Sequence, residues 1–150
     1  MAVISDDDVI STLNELVATC RDGEEGFHAA AEAAGNPELR GLFLTYAQQR
    51  ADFRAELEEE IRRLGGDPST HGSVAGSLHC GWMSVRSAVG GGNDDSVVAE
   101  AERGEDSARR AWEAALDRDL PPAIRAMVER QYGRIKEAHD RVRTLRERAA

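Results

Sequence analysis

Apolar residues recur along the chain at spacings of three and four, which is the period of a helix with one buried face. In the first half, one such stripe is made up of Leu13, Leu16, Val17, Cys20, Phe27 and Ala34. The next consists of Leu39, Phe43, Tyr46, Phe53, Leu57 and Leu64. The pattern predicts two long helices, each with one face turned toward a shared core.

The second half of the chain carries the same kind of pattern. One stripe is made up of Val97, Val98, Ala101, Ala108, Trp112 and Leu116, and another of Ile124, Val128, Ile135, Val142 and Leu145. Between the halves, a shorter apolar run with Leu78, Trp82 and Val85 predicts a short helix over Val74 to Val89. Four long helices and one short one are therefore expected.

Residues that start and stop helices agree with these limits. Ser5 precedes the acidic run of residues 6–8 and is typical of a helix N-cap. Asn36 followed by Pro37 begins the second helix in a similar way. Glycines or prolines interrupt the pattern at Gly35, Gly65–Gly66, Gly90–Gly92 and Pro121–Pro122. We expect each long helix to begin or end at one of these breaks.

The lengths of the connections predict how the helices are arranged. Short links within each half indicate antiparallel hairpins, whereas about 30 residues separate the second and third long helices, as in ferritin-like bundles. The halves also repeat each other, because residues 21–25 (RDGEE) resemble residues 102–106 (ERGED). Likewise, Leu39, Leu42 and Phe43 resemble Ile124, Met127 and Val128. The sequence therefore predicts an all-α, ferritin-like antiparallel four-helix bundle with a long crossover, formed by residues 1–150 as a single domain.

Charge limits the partners that such a bundle can bind. The formal net charge of -9 disfavours nucleic acids and anionic membranes. Cations in a last helical turn are favoured by the helix dipole, which accounts for Arg141, Arg143, Arg146 and Arg148. The start of the chain, MAVISDDD, has neither the basic residues nor the apolar stretch of an export signal. A cytoplasmic location is therefore expected.

Four polar residues interrupt the apolar stripes near the middle of the long helices. They are Glu24, Arg50, Glu105 and Gln131, one from each helix. Counted from the hairpin turns they lie at similar heights, so we expect them to meet in one mid-bundle layer. A glycine precedes each glutamate, although glycine inside a helix costs about 1 kcal/mol against alanine. These glycines indicate close helix approach or room beside the carboxylates.

Buried carboxylates must be paired, protonated or bound to metal, which leaves several interpretations of this layer. In the first, the four residues form a hydrogen-bonded network that sets the register of the bundle without a cofactor. In the second, Glu24 and Glu105 bind one iron, manganese or zinc ion, or a small ligand, in a metal-binding or oxidoreductase bundle. A dinuclear site is least favoured, because it needs a Glu-x-x-His motif from each of two helices. The chain has one such motif, and its Glu25 and His28 face outward.

Few other features of the chain suggest a function. No serine or cysteine lies in a recognisable nucleophile elbow, and Cys20 and Cys80 do not form a disulfide framework, so no catalytic residue is predicted. The crossover around His79 and Trp82, or the glutamate-rich stretch 56–60, is a candidate contact surface for a partner protein of unknown identity. The expected assembly is a homo-oligomer, with a dimer as the simplest case.

Several stretches of the chain have residues typical of a known family. They are Leu13-Asn14-Glu15-Leu16, residues 20–27 (CRDGEEGF), residues 72–76 (GSVAG) with Leu78, His79 and Trp82, residues 102–106 (ERGED) and residues 136–142 (KEAHDRV). Over about residues 9–146 the chain resembles the bacterial family called domain of unknown function 2383. The resemblance implies a four-helix bundle of the ferritin-like group, with no established reaction or cofactor. Ferritin-like proteins often act in metal handling or stress responses, but a shared fold does not fix function.

Overall fold

Four long helices make up the computed structural model, which describes residues 4–70 and 94–149. They are α1 (Asp6–Ala33), α2 (Pro37–Arg63), α3 (Asp94–Leu116) and α4 (Pro122–Ala149). No β-strand occurs in these two ranges, and the predicted all-α class with four long helices is confirmed. The short helix predicted over Val74 to Val89 lies outside the described residues. Within them, no helix has an apolar stretch long enough to cross a membrane.

Local contacts explain where the first two helices begin and end. The Ser5 Oγ atom accepts a hydrogen bond from the backbone N–H of Asp8 at 3.2 Å. The Asn36 Oδ1 atom accepts one from the N–H of Glu38 at 2.8 Å, so both residues act as N-caps. After α2, Gly65 adopts a φ of 86°, a left-handed conformation that residues with a side chain rarely take. Gly65 therefore ends α2 as a glycine stop does.

Contacts between helix ends define the topology of the bundle. The Asp94 carboxylate, at the start of α3, accepts hydrogen bonds from the N–H groups of Gly35 (2.7 Å) and Asn36 (3.1 Å) in the α1–α2 turn. Helix α3 therefore begins where α1 ends. At the opposite end, the Asn14 side chain on α1 donates to the carbonyl of Asp67, just after α2, at 3.1 Å. Helix α2 thus ends, and α3 begins, at opposite ends of the bundle, as a long crossover requires.

The core of the bundle is divided into two clusters. Helix α1 packs against α2 and α3, and α4 packs against α3 and α2, so that α2 and α3 are diagonal to each other. The lower cluster includes Leu13, Cys20, Phe53, Leu57, Trp112, Ile124 and Ile135. The upper cluster includes Phe27, Phe43, Ala47, Val97, Ala101 and Val142. On α1 the lower cluster ends at Cys20 and the upper one begins at Phe27, which leaves a gap in the middle of the helix.

The two hairpins share a capping contact that reflects the sequence repeat. Arg40 on α2 donates from Nε to the carbonyl of Ala34, at the end of α1, over 3.0 Å. Arg125 on α4 donates from Nη1 to the carbonyl of Leu116, the last residue of α3, over 3.1 Å. Arg40 in α2 and Arg125 in α4 occupy the same position relative to the proline that begins the helix. Equivalent arginines therefore satisfy carbonyls that the preceding helix leaves unpaired.

The contact of Asp94 with the α1–α2 turn predicts a measurable contribution to stability. D94A removes both hydrogen bonds, and because the site is exposed we expect the free energy of unfolding to fall by about 1 kcal/mol. D94N keeps one acceptor oxygen and should lose about half as much. Urea unfolding followed by circular dichroism measures both. S96A, on an exposed position of the same helical turn, is the control, and a D94A protein as stable as S96A would contradict the assignment.

Candidate functional site

A buried ion pair lies in the gap between the two core clusters. The Arg50 Nη2 atom on α2 is 2.6 Å from the Glu105 Oε2 atom on α3. The side chains are 1% and 0% exposed. Charged hydrogen bonds of this length are strong, and removal of one partner would leave the other charge buried without compensation. Because α2 and α3 are diagonal, this contact crosses the centre of the bundle.

The backbone of α1 leaves space for the Arg50 side chain. A Cβ atom placed on Gly23 would lie 3.1 Å from Arg50 Cγ and 3.5 Å from Arg50 Nη1. Arg50 therefore runs directly over Gly23, so close that a Cβ atom there would require the arginine to shift by a few tenths of an ångström. The guanidinium group also lies 5.5 Å from the centre of the Phe27 ring, a favourable arrangement for a cation. The glycine before Glu24 thus makes room for arginine.

The pair is not fully satisfied by hydrogen bonds. Among the described residues, the buried atoms Arg50 Nε and Glu105 Oε1 have no hydrogen-bond partner. One carboxylate oxygen is therefore engaged by Arg50, while the other is buried without a partner among these residues. An unpaired buried acceptor carries a desolvation cost of roughly 1–3 kcal/mol, which offsets part of the attraction between the two charges.

Glu24 contacts a different arginine. Arg54 Nε and Nη2 on α2 donate to Glu24 Oε2 at 2.5 Å and to Glu24 Oε1 at 3.0 Å. Arg54 also bonds Glu58 at 3.3 Å, and Glu58 is 3.3 Å from Arg21 on α1. The hydrogen bond with Glu24 raises the pKa of Arg54. These four residues form an ion-pair chain along the α1–α2 interface, with side chains 11–28% exposed.

Gln131 is fully buried and makes its contacts nearer the lower cluster. Its Oε1 atom accepts a hydrogen bond from the Trp112 indole N–H at 3.1 Å. Its amide nitrogen donates to Glu56 on α2 at 3.2 Å, and Arg130 also bonds Glu56. Trp112 is completely buried, and Gln131 provides the acceptor that a buried indole needs.

Hydrogen bonds among the described residues thus divide the four polar residues predicted for one layer into three contact groups. Arg50 and Glu105 are joined directly, Glu24 is held by Arg54, and Gln131 is held by Trp112 and Glu56. Arg54 was not singled out by the sequence pattern. Arg54 lies four residues after Arg50, and residues four apart share a helix face. This spacing could have predicted that Arg54 also faces the carboxylates.

The donor set at the centre does not fit a dinuclear metal site. Within residues 4–70 and 94–149, no group of three or more His, Cys, Asp or Glu side chains could hold a metal ion. The predicted ligands Glu24 and Glu105 each bond an arginine. Glu25 and His28 are exposed on α1, as their helical phase predicts. Two carboxylates facing two guanidinium groups are already neutralised without a metal.

Cys20 and the glutamates of the stretch 56–60, which the sequence analysis considered for catalysis or partner binding, are engaged in burial or ion pairs. Burial raises the pKa of the Cys20 thiol, so that it stays protonated and is a poor nucleophile. The glutamates of the stretch 56–60 each bond an arginine, which neutralises the acidic surface proposed for a partner. His79 and Trp82, in the crossover, lie outside the described residues, as does Cys80.

His139, in the KEAHDRV stretch of α4, lies at the contact between α3 and α4. It is 7% exposed, and its Nε2 atom lies 2.7 Å from Asp106 Oδ1 on α3. Its Nδ1 atom lies 3.3 Å from Asp140 Oδ1. The contact joins α3 to α4, and its Asp106 is the residue that follows Glu105 on α3.

Comparison with known proteins identifies the fold and a family. A model of the family described as domain of unknown function (DUF2383) matches residues 8–118, from the first turn of α1 to just beyond the end of α3. No match is found among curated protein sequences. The match ends before α4, so it is shorter than the resemblance read from the sequence.

Two solved structures share the fold. A two-domain protein from Anabaena variabilis with DJ-1/ThiJ/PfpI-like and ferritin-like domains is 17% identical, with a TM-score of 0.81. The alignment covers 99% of this chain and 42% of that one, so the chain spans less than half of that protein. A mutant of Dps1 from Mycobacterium smegmatis is 14% identical, with a TM-score of 0.76, over 94% of this chain and 96% of that chain. These similarities confirm the predicted ferritin-like bundle.

The close approach of Arg50 to α1 predicts the effect of adding a methyl group at Gly23. G23A pushes on Arg50 Cγ, which is held between α1 and Glu105, and this strain should exceed the roughly 1 kcal/mol by which alanine favours a helix. We expect the free energy of unfolding to fall by about 1–2 kcal/mol in urea titrations.

The matched controls are G41A and G133A. Both glycines lie in exposed helical positions where a Cβ would meet no atom within 4 Å. These variants should be more stable than the wild type by about 0.5–1 kcal/mol. A G23A protein that is stabilised to the same extent would show that Arg50 is not confined by α1.

Proposed function

The chain belongs to the DUF2383 family, and from that premise we propose that it is a non-enzymatic ferritin-like bundle protein whose centre is held by arginine–carboxylate pairs instead of a metal site. The observation that supports this proposal is the fully buried contact of Arg50 with Glu105. We further propose that the protein acts as a homo-oligomer, with no enzymatic reaction of its own.

Electrostatics supports the absence of a resident metal. Glu24 is bonded by Arg54 through both oxygens, and Glu105 is bonded by Arg50. A divalent cation about 4 Å from a guanidinium group would be repelled by about 8 kcal/mol at an effective dielectric constant of 20. Metal binding at either glutamate would therefore require its arginine to move away. The adjacent core clusters leave Arg50 little freedom to do so.

An alternative function is metal binding or redox chemistry with Glu24 and Glu105 as ligands. One observation favours it, which is that Glu105 Oε1 has no hydrogen-bond partner among the described residues. A single free oxygen on a buried carboxylate is a potential ligand for iron, manganese or zinc. In this alternative, water or a partner chain supplies the remaining ligands.

Elemental analysis separates the two functions. Protein purified without chelators and then incubated with iron, manganese or zinc should retain well under one metal ion per chain after desalting. Light scattering on the same samples tests the homo-oligomer, and a monomer at all concentrations would contradict that part of the proposal.

The control for metal uptake is a pair of charge-matched variants. E24Q/E105Q removes the two candidate ligands, one from each hairpin, whereas E25Q/E38Q removes two exposed carboxylates from the first hairpin. Stoichiometric uptake by the wild type and by E25Q/E38Q that is lost in E24Q/E105Q would establish the metal-binding alternative. Equal low uptake by all three proteins supports the ion-pair proposal.

A double-mutant cycle tests the structural role of the central pair. E105L leaves the Arg50 charge buried alone, and R50M does the same to Glu105, so each should lower the free energy of unfolding by about 3–5 kcal/mol. R50M/E105L replaces both charges with apolar groups and should recover most of that loss. Urea unfolding measures all three. Additive losses in the double variant would mean that the two side chains do not depend on each other.

A further inference from the structure

Two unpaired polar atoms flank one buried hydrogen bond at the centre of the bundle. Arg50 Nη2 bonds Glu105 Oε2 at 2.6 Å, while Arg50 Nε and Glu105 Oε1 have no hydrogen-bond partner among the described residues. Nε and Nη2 belong to one planar guanidinium group, and Oε1 and Oε2 belong to one carboxylate. The unpaired donor and the unpaired acceptor are therefore close neighbours, and with side chains 1% and 0% exposed neither is reached by bulk solvent.

The charges of the pair restrict what can bind to these two atoms. A cation at Glu105 Oε1 would be repelled by the Arg50 guanidinium group, and an anion at Arg50 Nε would be repelled by the Glu105 carboxylate. The pair is neutral as a whole, so either ion would also add an uncompensated charge to a buried site. A ligand that fits must carry no charge, accept one hydrogen bond and donate another. Water is the smallest molecule that meets these conditions.

The surroundings of the pair are those in which proteins hold internal water. On α1, the lower apolar cluster ends at Cys20 and the upper one begins at Phe27, so the pair lies in a polar layer between them. Gly23 on α1 and Gly104 on α3, both buried, bring no side chain into this layer. Cavities that stay empty in proteins are lined by apolar groups, whereas a site with polar partners binds water. The layer has two such partners, one donor and one acceptor.

We propose that the Arg50–Glu105 layer is a binding site for one water molecule, which accepts a hydrogen bond from Arg50 Nε and donates one to Glu105 Oε1. The water makes the two hydrogen bonds that the described side chains do not make, and so offsets the desolvation cost of the unpaired atoms. It takes the carboxylate oxygen that a metal ion at Glu105 would need. This site goes beyond the ion-pair function, because the pair can hold the helices with or without a bound water.

Magnetic relaxation dispersion of the solvent, which counts long-lived internal waters, tests the site in the full-length protein. R50M/E105L replaces both charged groups with apolar ones and should hold about one such water per chain fewer than the wild type. E24L/R54M is the matched control. The Glu24–Arg54 pair is joined by two direct hydrogen bonds and has no buried atom without a partner among the described residues, so its removal should leave the count unchanged. Equal counts for the wild type and R50M/E105L would overturn the proposal.

A crystal structure of the wild-type protein, at a resolution that orders water, gives a second readout that needs no variant if R50M/E105L does not fold. We expect electron density for a water about 2.7–3.2 Å from both Arg50 Nε and Glu105 Oε1. A direct hydrogen bond from Nε to Oε1, no density between the two atoms, or a metal ion on Oε1 would each overturn the water site. The metal ion would also contradict the proposed ion-pair function, whereas the other two results would leave that function intact.

Discussion

The buried contact between Arg50 and Glu105 is the interaction on which the arrangement of the helices depends. It joins α2 to α3, the two helices that are diagonal in the bundle and that the long crossover connects in sequence. Apolar packing is not directional, whereas a hydrogen bond from Arg50 to one buried carboxylate requires a fixed distance and angle. We infer that the pair contributes more to the choice of helix register than to net stability.

The same contact sets conditions on the residues around it. Helix α1 presents Gly23 to the arginine, and a side chain there would press against Arg50 Cγ. The apolar residues are accordingly separated into lower and upper clusters on either side of this layer. A glycine in the middle of a helix lowers its stability. Placing a guanidinium group at the centre of this bundle therefore carries that loss of stability as well.

Much of this architecture could be predicted from the sequence, and the rest depended on distances that a helical period does not contain. The caps at Ser5 and Asn36 and the buried positions of Arg50 and Gln131 follow from local patterns. The partner of Glu24 could not be predicted in this way. The helical period of the sequence gives the direction of a side chain from the helix axis but not how far the side chain reaches. Arginine side chains are long and flexible, so Arg50 and Arg54, one helical turn apart, bond different carboxylates.

The two hairpins are alike where they turn and different where they meet at the centre. Arg40 and Arg125 make the same capping contact, since every helix end leaves carbonyls that need donors. In the middle of the bundle the requirement is different, because buried carboxylates need any nearby positive charge and the fold does not specify which. Arginine, histidine and, in other ferritin-like bundles, metal ions all meet that requirement. In this chain Glu24 of the first hairpin and Glu105 of the second are each bonded by an arginine of α2, so one helix supplies the positive charge for both halves.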